Sequence, residues 1–273
     1  MKIVTWNVNG IRSLVKKNMP ELEKILQDVS PDFLCLQETR CGKSPASDFA
    51  FLETAPAPHS DYFIVNNNCG TKAGYSGTCV LANRKKVKQE DIIGSESHET
   101  SEGRVVVVNM KSWNLVTVYV PNSKADLSRL SFRTGKWESL FIDLLLKIKK
   151  DTGNPIILCG DMNVCHQDID IARPKPNVKK PGFTIEERNS FSKLMSDTGM
   201  VDVFREIHPN KVEYTWWSPY AKSRERDVGW RLDYFMMCKA FFEKNRATCK
   251  CGNMKDVMGS DHAPVLLEIR IRL

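Results

Sequence analysis

Apolar residues along this chain gather into many short runs rather than a few long ones. Eight runs rich in β-branched residues occupy positions 2–6, 33–36, 78–82, 105–108, 115–120, 156–159, 232–237 and 265–271. Continuous apolar runs of this length, bounded by Gly, Pro or Asn, predict strands buried on both faces. Stretches with helical spacing lie between them. In 20–29 (PELEKILQDV) a proline takes a first-turn position, where its missing N–H costs nothing. The segment 127–150 carries Leu140, Leu144 and Ile148 at i, i+4 and i+8. Thr184 and Glu187 make a capping-box pattern ahead of Phe191, Leu194 and Met195.

Strand and helix patterns alternate only loosely, and several strands follow one another with no helix between. This predicts an α/β fold of two mixed sheets packed face to face with helices outside, rather than a singly wound parallel sheet. No Gly/Ser or Pro tract divides the chain, so residues 1–273 are expected to form one domain. The basic loop 173–181 (RPKPNVKKP) is the expected mobile surface segment.

Composition refines this picture at three points. With 41% hydrophobic and 27% charged residues the chain is ordinary for a globular protein. At 273 residues it buries roughly three quarters of its unfolded surface and needs no disulfides. Nine cysteines include no Cys-x-x-Cys; Cys249-Lys-Cys251 comes nearest, which argues against a zinc site or a redox pair. Cys35, Cys79 and Cys159 sit inside apolar runs as small core residues, which fits a reducing compartment. Met1 leads straight into KIVTW, with no apolar leader and no membrane-length run. A soluble, intracellular protein of the cytoplasm, nucleoid or nucleus is expected, with no membrane partner. The net charge of +7 suits a polyanionic partner, although a solvated basic surface accounts for it equally well.

The informative residues are those at which the strands stop. The first run ends at Asn7, with Asn9 beyond it, and the second at Glu38. The run 115–120 carries Tyr119 and leads to Asn122, and 156–159 leads to Asp161 and Asn163. WRL ends at Asp233, and DVMGSDHAP places Asp261 and His262 ahead of the last strand. Strand ends are polar in most proteins, so one instance means little. Six together, all of types that serve hard cations and phosphate, indicate a shared crevice. Glu38, Asp161 and Asp261 offer carboxylate oxygens, and Asn7 and Asn163 offer amide oxygens. Such a set suits magnesium and suits manganese equally, whereas zinc would want more than His262.

These strand-end segments also carry a family resemblance. TWNVNGIRS, CLQETR, YVPN, GDMNV, GWRLDYF and GSDHAP together resemble the exonuclease III type of apurinic/apyrimidinic (AP) endonuclease, within the endonuclease/exonuclease/phosphatase superfamily. GDMNV or GSDH alone would indicate only the superfamily; LQET, GWRLDYF and KAGYSG narrow it to the DNA-repair branch. The resemblance implies a four-layered α/β sandwich, like that of deoxyribonuclease I, with its active site at one edge of two packed sheets. It implies Mg2+-dependent cleavage of double-stranded DNA 5′ to an abasic site by a monomer, leaving a 3′-hydroxyl, with some 3′→5′ exonuclease or 3′-phosphodiesterase activity.

Roles carry over by position. Glu38 and Asp261 are implied as the main metal ligands with Asn7 and Asn9 alongside, and Asp161, Asn163 and His262 complete the set around the ion. Asp161 would orient or deprotonate the attacking water, held by Asn163. His262, oriented by Asp233, would contact a non-bridging phosphate oxygen, as would Tyr119 and Asn122. Trp216, Trp230 and Leu232 match the abasic pocket. Arg12, Ser13, Lys17, Gly74, Tyr75 and Asn177 match backbone-contact positions, with Lys72 and Lys180 as helpers. His166 reads as structural.

Three departures bear on substrate grip: Asn9 where some relatives carry Asp, Ala125 where some carry a groove-inserting arginine, and Pro219 in the loop that holds Tyr220. Two other readings share part of this pattern. A superfamily phosphatase would keep the metal motifs without needing the tryptophan pocket. A non-catalytic DNA-binding member would have lost one of Glu38, Asp161, Asp261 or His262, and all four are present.

Overall fold

The computed structural model describes residues 1–98 and 101–271. Two six-stranded mixed sheets lie face to face. The first is built from β1 (Lys2–Asn7), β2 (Phe33–Gln37), β3 (Tyr62–Asn68) and β4 (Thr78–Asn83). The second begins with β5 (Ile92–His98), β6 (Val105–Met110), β7 (Asn114–Tyr119), β8 (Ile156–Asp161) and β9 (Met200–Asp202). A two-stranded ribbon follows, β10 (Trp216–Trp217) and β11 (Gly229–Trp230). The chain then adds β12 (Asp233–Cys238) to the second sheet, and β13 (Lys250–Asn253) and β14 (Val265–Glu268) to the first. The strand orders are β13-β14-β1-β2-β4-β3 and β5-β6-β7-β8-β12-β9. Each sheet contains a central parallel pair, β1 with β2 and β7 with β8, and every other pairing is antiparallel.

The eight interior strands are the eight apolar runs of the sequence. All four edge strands, β13, β3, β5 and β9, went unpredicted. The two long edge strands carry polar residues, as in YFIVNNN and IIGSESH, whereas β9 is buried but only three residues long. Such segments lack the continuous apolar run of a doubly covered strand.

Alternation along the strands sorts side chains into layers. Ile3, Phe33, Leu115, Ile157, Phe235 and Leu267 face the space between the sheets. Val4, Trp6, Leu34 and Leu36 face the other way, onto the helix at Ile11–Glu23 through Leu14 and Leu22. Val116, Val118, Leu158 and Met236 pack on the helices at Glu138–Thr152 and Ile185–Thr198. The result is helix, sheet, sheet, helix. Gly160 lets β7 and β8 pair closely, since its φ is +139° and a Cβ there would stand 2.0 Å from the Val118 carbonyl oxygen.

Helix boundaries depart from expectation in two places. The first helix begins at Ile11, before Pro20, and bends at Asn18 (φ −137°, ψ 30°) where the proline ring disturbs the preceding turn. In Glu138–Thr152 the buried face is Phe141, Ile142, Leu145 and Ile148, whereas Leu140 is 56% exposed. Of the expected Leu140, Leu144 and Ile148, the structure buries Ile148 and packs Leu144 partly against the core, and only Leu140 faces solvent. The capping box holds: Glu187 N donates to Thr184 Oγ1 at 3.2 Å and Thr184 N to Glu187 Oε2 at 3.1 Å. All nine cysteines are free. Among the described residues no helix is long and apolar enough to cross a membrane.

Candidate active site

The parity that buries Ile3, Phe33, Leu115 and Ile157 also aims the last residues of those strands into the space between the sheets. Toward one edge that space turns polar in steps. Thr5 Oγ1 donates to Gln37 Oε1 at 3.1 Å, and Gln37 Nε2 donates to Thr117 Oγ1 at 2.8 Å, joining the two sheets. One step further, Asn7 Nδ2 donates to Asp161 Oδ2 at 2.9 Å. The register sets Tyr119 and Asp233 on either side of Asp161. The carboxyl ends of both parallel pairs therefore converge on one cleft, which is where α/β folds seat ligands.

The cleft measures about 520 Å³ and is lined by Asn9, Glu38, Arg40, Tyr119, Asn122, Asp161, Asn163, Trp216, Trp230, Leu232, Asp261 and His262. Asn177, Lys180, Pro181 and Gly182 close one rim, so the basic loop borders the site. Asp161 is almost fully buried and receives Asn163 N on Oδ1 at 2.8 Å. Burial pushes its carboxyl up to about 7, with Asp233 adding to the effect and His262, Asn7 and Asn163 opposing it. Asn163 is itself held by Val120 O and by Asn122 Nδ2, both at 2.9 Å.

His262 Nδ1 lies 2.8 Å from Asp233 Oδ2, and Thr215 Oγ1 donates to the same oxygen at 2.6 Å. Burial works against an imidazolium here, but the Asp233 charge and hydrogen bond, then Asp161 and Asp261, raise the His262 pKa to about 10. Its Nε2 stands 3.9 Å from Asp161 Oδ2. Asp261 is partly exposed and accepts from Asn9 Nδ2 and Trp216 Nε1, each at 2.9 Å. Burial opposes its charge, yet His262 and these two donors hold the carboxyl below the usual range. Burial, then the charges of Glu38 and Asp161, keep the Tyr119 phenol well above its ordinary pKa. A protonated phenol, an imidazolium and a carboxylate near neutrality thus share one cleft, a combination able to bind an anion and accept a proton.

Asp161, Asp233 and His262 bring ligand atoms within 4.8 Å of one another, a candidate acidic metal site. Glu38 and Asp261 add carboxylates to the same cleft, and Asn9 lies beside Asp261. Asn7 stands behind them, fully buried, with its Oδ1 accepting Asn9 N at 3.0 Å. Every neutral or anionic donor here except the histidine is an oxygen, which fits a hard divalent cation.

Next to the charged groups stands an apolar wall. Trp216 pairs with Trp230 across the ribbon, their rings edge to face at 5.8 Å, over Ile171, Phe183 and Leu232. Arg12, Ser13 and Lys17 project from the exposed face of the first helix, and Arg12 Nη2 comes within 4.0 Å of where a Gly74 Cβ would be. Gly74 N donates to Cys41 O at 2.7 Å, and Tyr75 Oη accepts from Arg104 and Arg129. Lys72 lies over the Tyr75 ring at 5.6 Å. Tyr220 is 79% exposed on its loop. His166 lies outside the cleft, bonded to Ser192 Oγ at 2.8 Å and packed on Phe191.

Two cleft-related residues escaped the sequence reading. Arg40 is bonded to Glu38, and its only sequence signal was a basic residue two positions past a strand-end carboxylate. Thr215, the partner of Asp233, lies 18 positions away with nothing to distinguish it.

Fold and site together define a nuclease- or phosphatase-type hydrolase. The chain belongs to the Endonuclease/Exonuclease/phosphatase family, whose profile matches residues 4–262. It is 36% identical over 272 residues to an exodeoxyribonuclease of Bacillus subtilis (strain 168), covering 99% of this chain and all of that one. It is 39% identical to the DNA repair nuclease APEX1 of Danio rerio, covering 99% and 83%. Among solved structures, the AP endonuclease LMAP from Leishmania major superposes with a TM-score of 0.86 at 30% identity, covering 99% and 88%.

Proposed function

We propose that this chain is a base-excision-repair AP endonuclease. It hydrolyses the phosphodiester of double-stranded DNA 5′ to an abasic site with Mg2+ as cofactor, with some 3′→5′ exonuclease or 3′-phosphodiesterase activity at the same centre. The observation that carries this reading is the contiguity of two unlike surfaces. Asp161 and His262 open onto the same cleft as the apolar wall of Trp216, Trp230 and Leu232. A small phosphate ester has no use for that wall, whereas a flipped-out sugar without a base fits against it. The names of the relatives point the same way.

Glu38 and Asp261, with Asn7 and Asn9 alongside, would hold the Mg2+. When bound, the ion supplies positive charge that stabilises the phosphoryl and leaving oxygens. Asp161, held by Asn7 and Asn163, accepts the proton of the attacking water. The water oxygen bonds to phosphorus, the P–O3′ bond breaks, and the leaving O3′ takes a proton from solvent to become the 3′-hydroxyl, while the phosphate stays on the abasic sugar. His262, kept protonated by the charges of Asp233, Asp161 and Asp261, donates to a non-bridging phosphoryl oxygen. Asp233 and Thr215 fix its ring. The Tyr119 phenol and Asn122 donate to the same phosphate.

Arg12, Ser13, Lys17, Gly74, Tyr75 and Asn177 position the duplex backbone without reading sequence. The chain works as a single-domain monomer wherever the cell keeps DNA, whether cytoplasm, nucleoid or nucleus.

The test is cleavage of an end-labelled duplex with one tetrahydrofuran abasic analogue, with Mg2+ or EDTA, beside Asp161→Asn and His262→Ala. A single Mg2+-dependent cut 5′ to the lesion, reduced at least about 100-fold in both variants, is expected. No cut by well-folded wild-type protein, with Mg2+ or Mn2+, would sink the proposal and direct attention to phosphate esters.

A further inference from the structure

The turn after β2 puts two opposite charges into the cleft. Glu38 and Arg40 both have left-handed backbone, with φ of 56° and 48°, a conformation disfavoured outside glycine. Neighbouring chain over-determines it. Gly10 N donates to Glu38 O at 2.8 Å, Ile11 N to Thr39 O at 2.9 Å, and Arg40 N to Ser76 O at 2.8 Å. Two strained residues in three, held from both sides, aim their side chains at each other. Arg40 Nε bonds Glu38 Oε1 at 3.0 Å and Nη2 bonds the same oxygen.

This grip has two unusual features. Both contacts fall on one oxygen, without the two-oxygen fork that makes an arginine–carboxylate pair strong. The partners are also unequally covered: the Arg40 side chain is 44% exposed and that of Glu38 only 14%. The carboxylate is built into the site, and the guanidinium is free to leave it. Arg40 lines the same cleft as Tyr119 and Asp261, so it sits among the groups that face the substrate phosphate.

We propose that Arg40 is an exchangeable counter-ion: it neutralises Glu38 while no divalent cation is bound, and it moves to a phosphate of the bound duplex when a cation takes Glu38. This rests on the reading of Glu38 as a cation ligand given above. A guanidinium and a dication on one carboxylate oxygen repel each other, and a half-exposed ion pair is weak enough to yield to the higher charge. A released guanidinium is well shaped for phosphate. Cation and DNA then reinforce each other's binding, by the same factor in each direction.

The experiment titrates Mn2+ into DNA-free protein, following the free-ion electron paramagnetic resonance signal, for wild type, Arg40→Gln and Arg40→Lys. Duplex binding is then measured by anisotropy with Mn2+ and with EDTA, using an uncleavable phosphorothioate at the abasic site. Arg40→Gln should bind Mn2+ roughly three- to tenfold more tightly than wild type, because a competing charge is gone. Arg40→Lys should stay within about twofold of wild type, since it retains the charge. The gain in DNA affinity caused by Mn2+ should shrink in Arg40→Gln, and the salt slope of binding should fall by about one. Unchanged or weaker Mn2+ binding by Arg40→Gln, beside normal wild-type binding, would overturn this inference alone. Wild-type protein that binds no Mn2+ would overturn it together with the proposed metal chemistry.

Discussion

Replacing Asp233 by asparagine should turn His262 from an imidazolium into a neutral ring at working pH. Both residues are buried, and Nδ1 of the histidine lies 2.8 Å from Oδ2 of the aspartate. Burial alone would lower the histidine pKa; the Asp233 charge and hydrogen bond lead the contributions that raise it to about 10. Against an ordinary value near 6.5, and at about 1.4 kcal/mol per pH unit, this is a preference of several kcal/mol for the charged form. An amide keeps the shape of the carboxylate and drops its charge. Burial then acts against weaker attractions from Asp161 and Asp261, and the pKa should fall to roughly 7 or lower.

The assay is 13C NMR of the histidine Cε1 positions in EDTA, with the His262 resonance identified by its loss in His262→Gln. In wild type that resonance should not titrate between pH 6 and about 9, whereas in Asp233→Asn it should titrate inside that range. Stability follows with a defined sign. A histidine raised in the folded state contributes stability that is full below its unfolded pKa and lost as pH climbs through its folded one. Wild-type Tm should therefore decline from about pH 6.5 toward 10, and more steeply than that of the variant. Activity near pH 7.5 should fall by about 100- to 1000-fold, the scale for losing one preorganised charge-stabilising donor. Identical His262 titration in the two proteins would refute the assignment.

Other substitutions probe neighbouring parts of the site. Asp161→Asn should abolish cleavage yet leave Tm at pH 8 equal to or above that of wild type, because burial and Asp233 already disfavour this carboxylate; a clearly lower Tm would contradict that account. Arg231 is buried between the pocket residues Trp230 and Leu232, and it pairs with Asp170 at 2.8 Å and Asp202 at 2.6 Å. Arg231→Met leaves two carboxylates short of a partner and should cost about 3–5 kcal/mol, lowering Tm by roughly 10 °C. A calorimetric shift of only a degree or two would show the cluster to be dispensable. Lys17→Ala should weaken duplex binding about equally with and without the lesion and reduce the salt slope by about one, so a loss confined to abasic DNA would count against a backbone role.

Much of the architecture was legible because burial writes itself into sequence. The interior strands are covered on both faces and read as unbroken apolar runs. Edge strands such as Ile92–His98 are half in solvent, and their alternation was too polar to stand out from loops. The helix at Glu138–Thr152 was found and Ile148 placed on its buried face, but Leu140 was not, since leucines lie on both sides and only packing selects Phe141 and Leu145 over Leu140. The start of the first helix was missed because Gly10 and Asn9, both at positive φ, bend the chain into it without a side-chain cap.

For the site, the sequence by itself determined which residue types stand at the strand ends, and hence the oxygen-rich, phosphate-directed chemistry of the cleft. It also carried parity: Asn7 follows Thr5 and Ile3 at a spacing of two, so it must share their face. Only the tertiary structure decided who meets whom. Asn7 and Asp161 lie 154 positions apart yet are 2.9 Å from each other, because the two parallel pairs end at the same edge of the sandwich. The same packing buries Asp161 and His262, and so sets a carboxyl near 7 beside an imidazole near 10. Those values come from desolvation and from charges brought close by folding, and neither is a property of any segment of the chain alone.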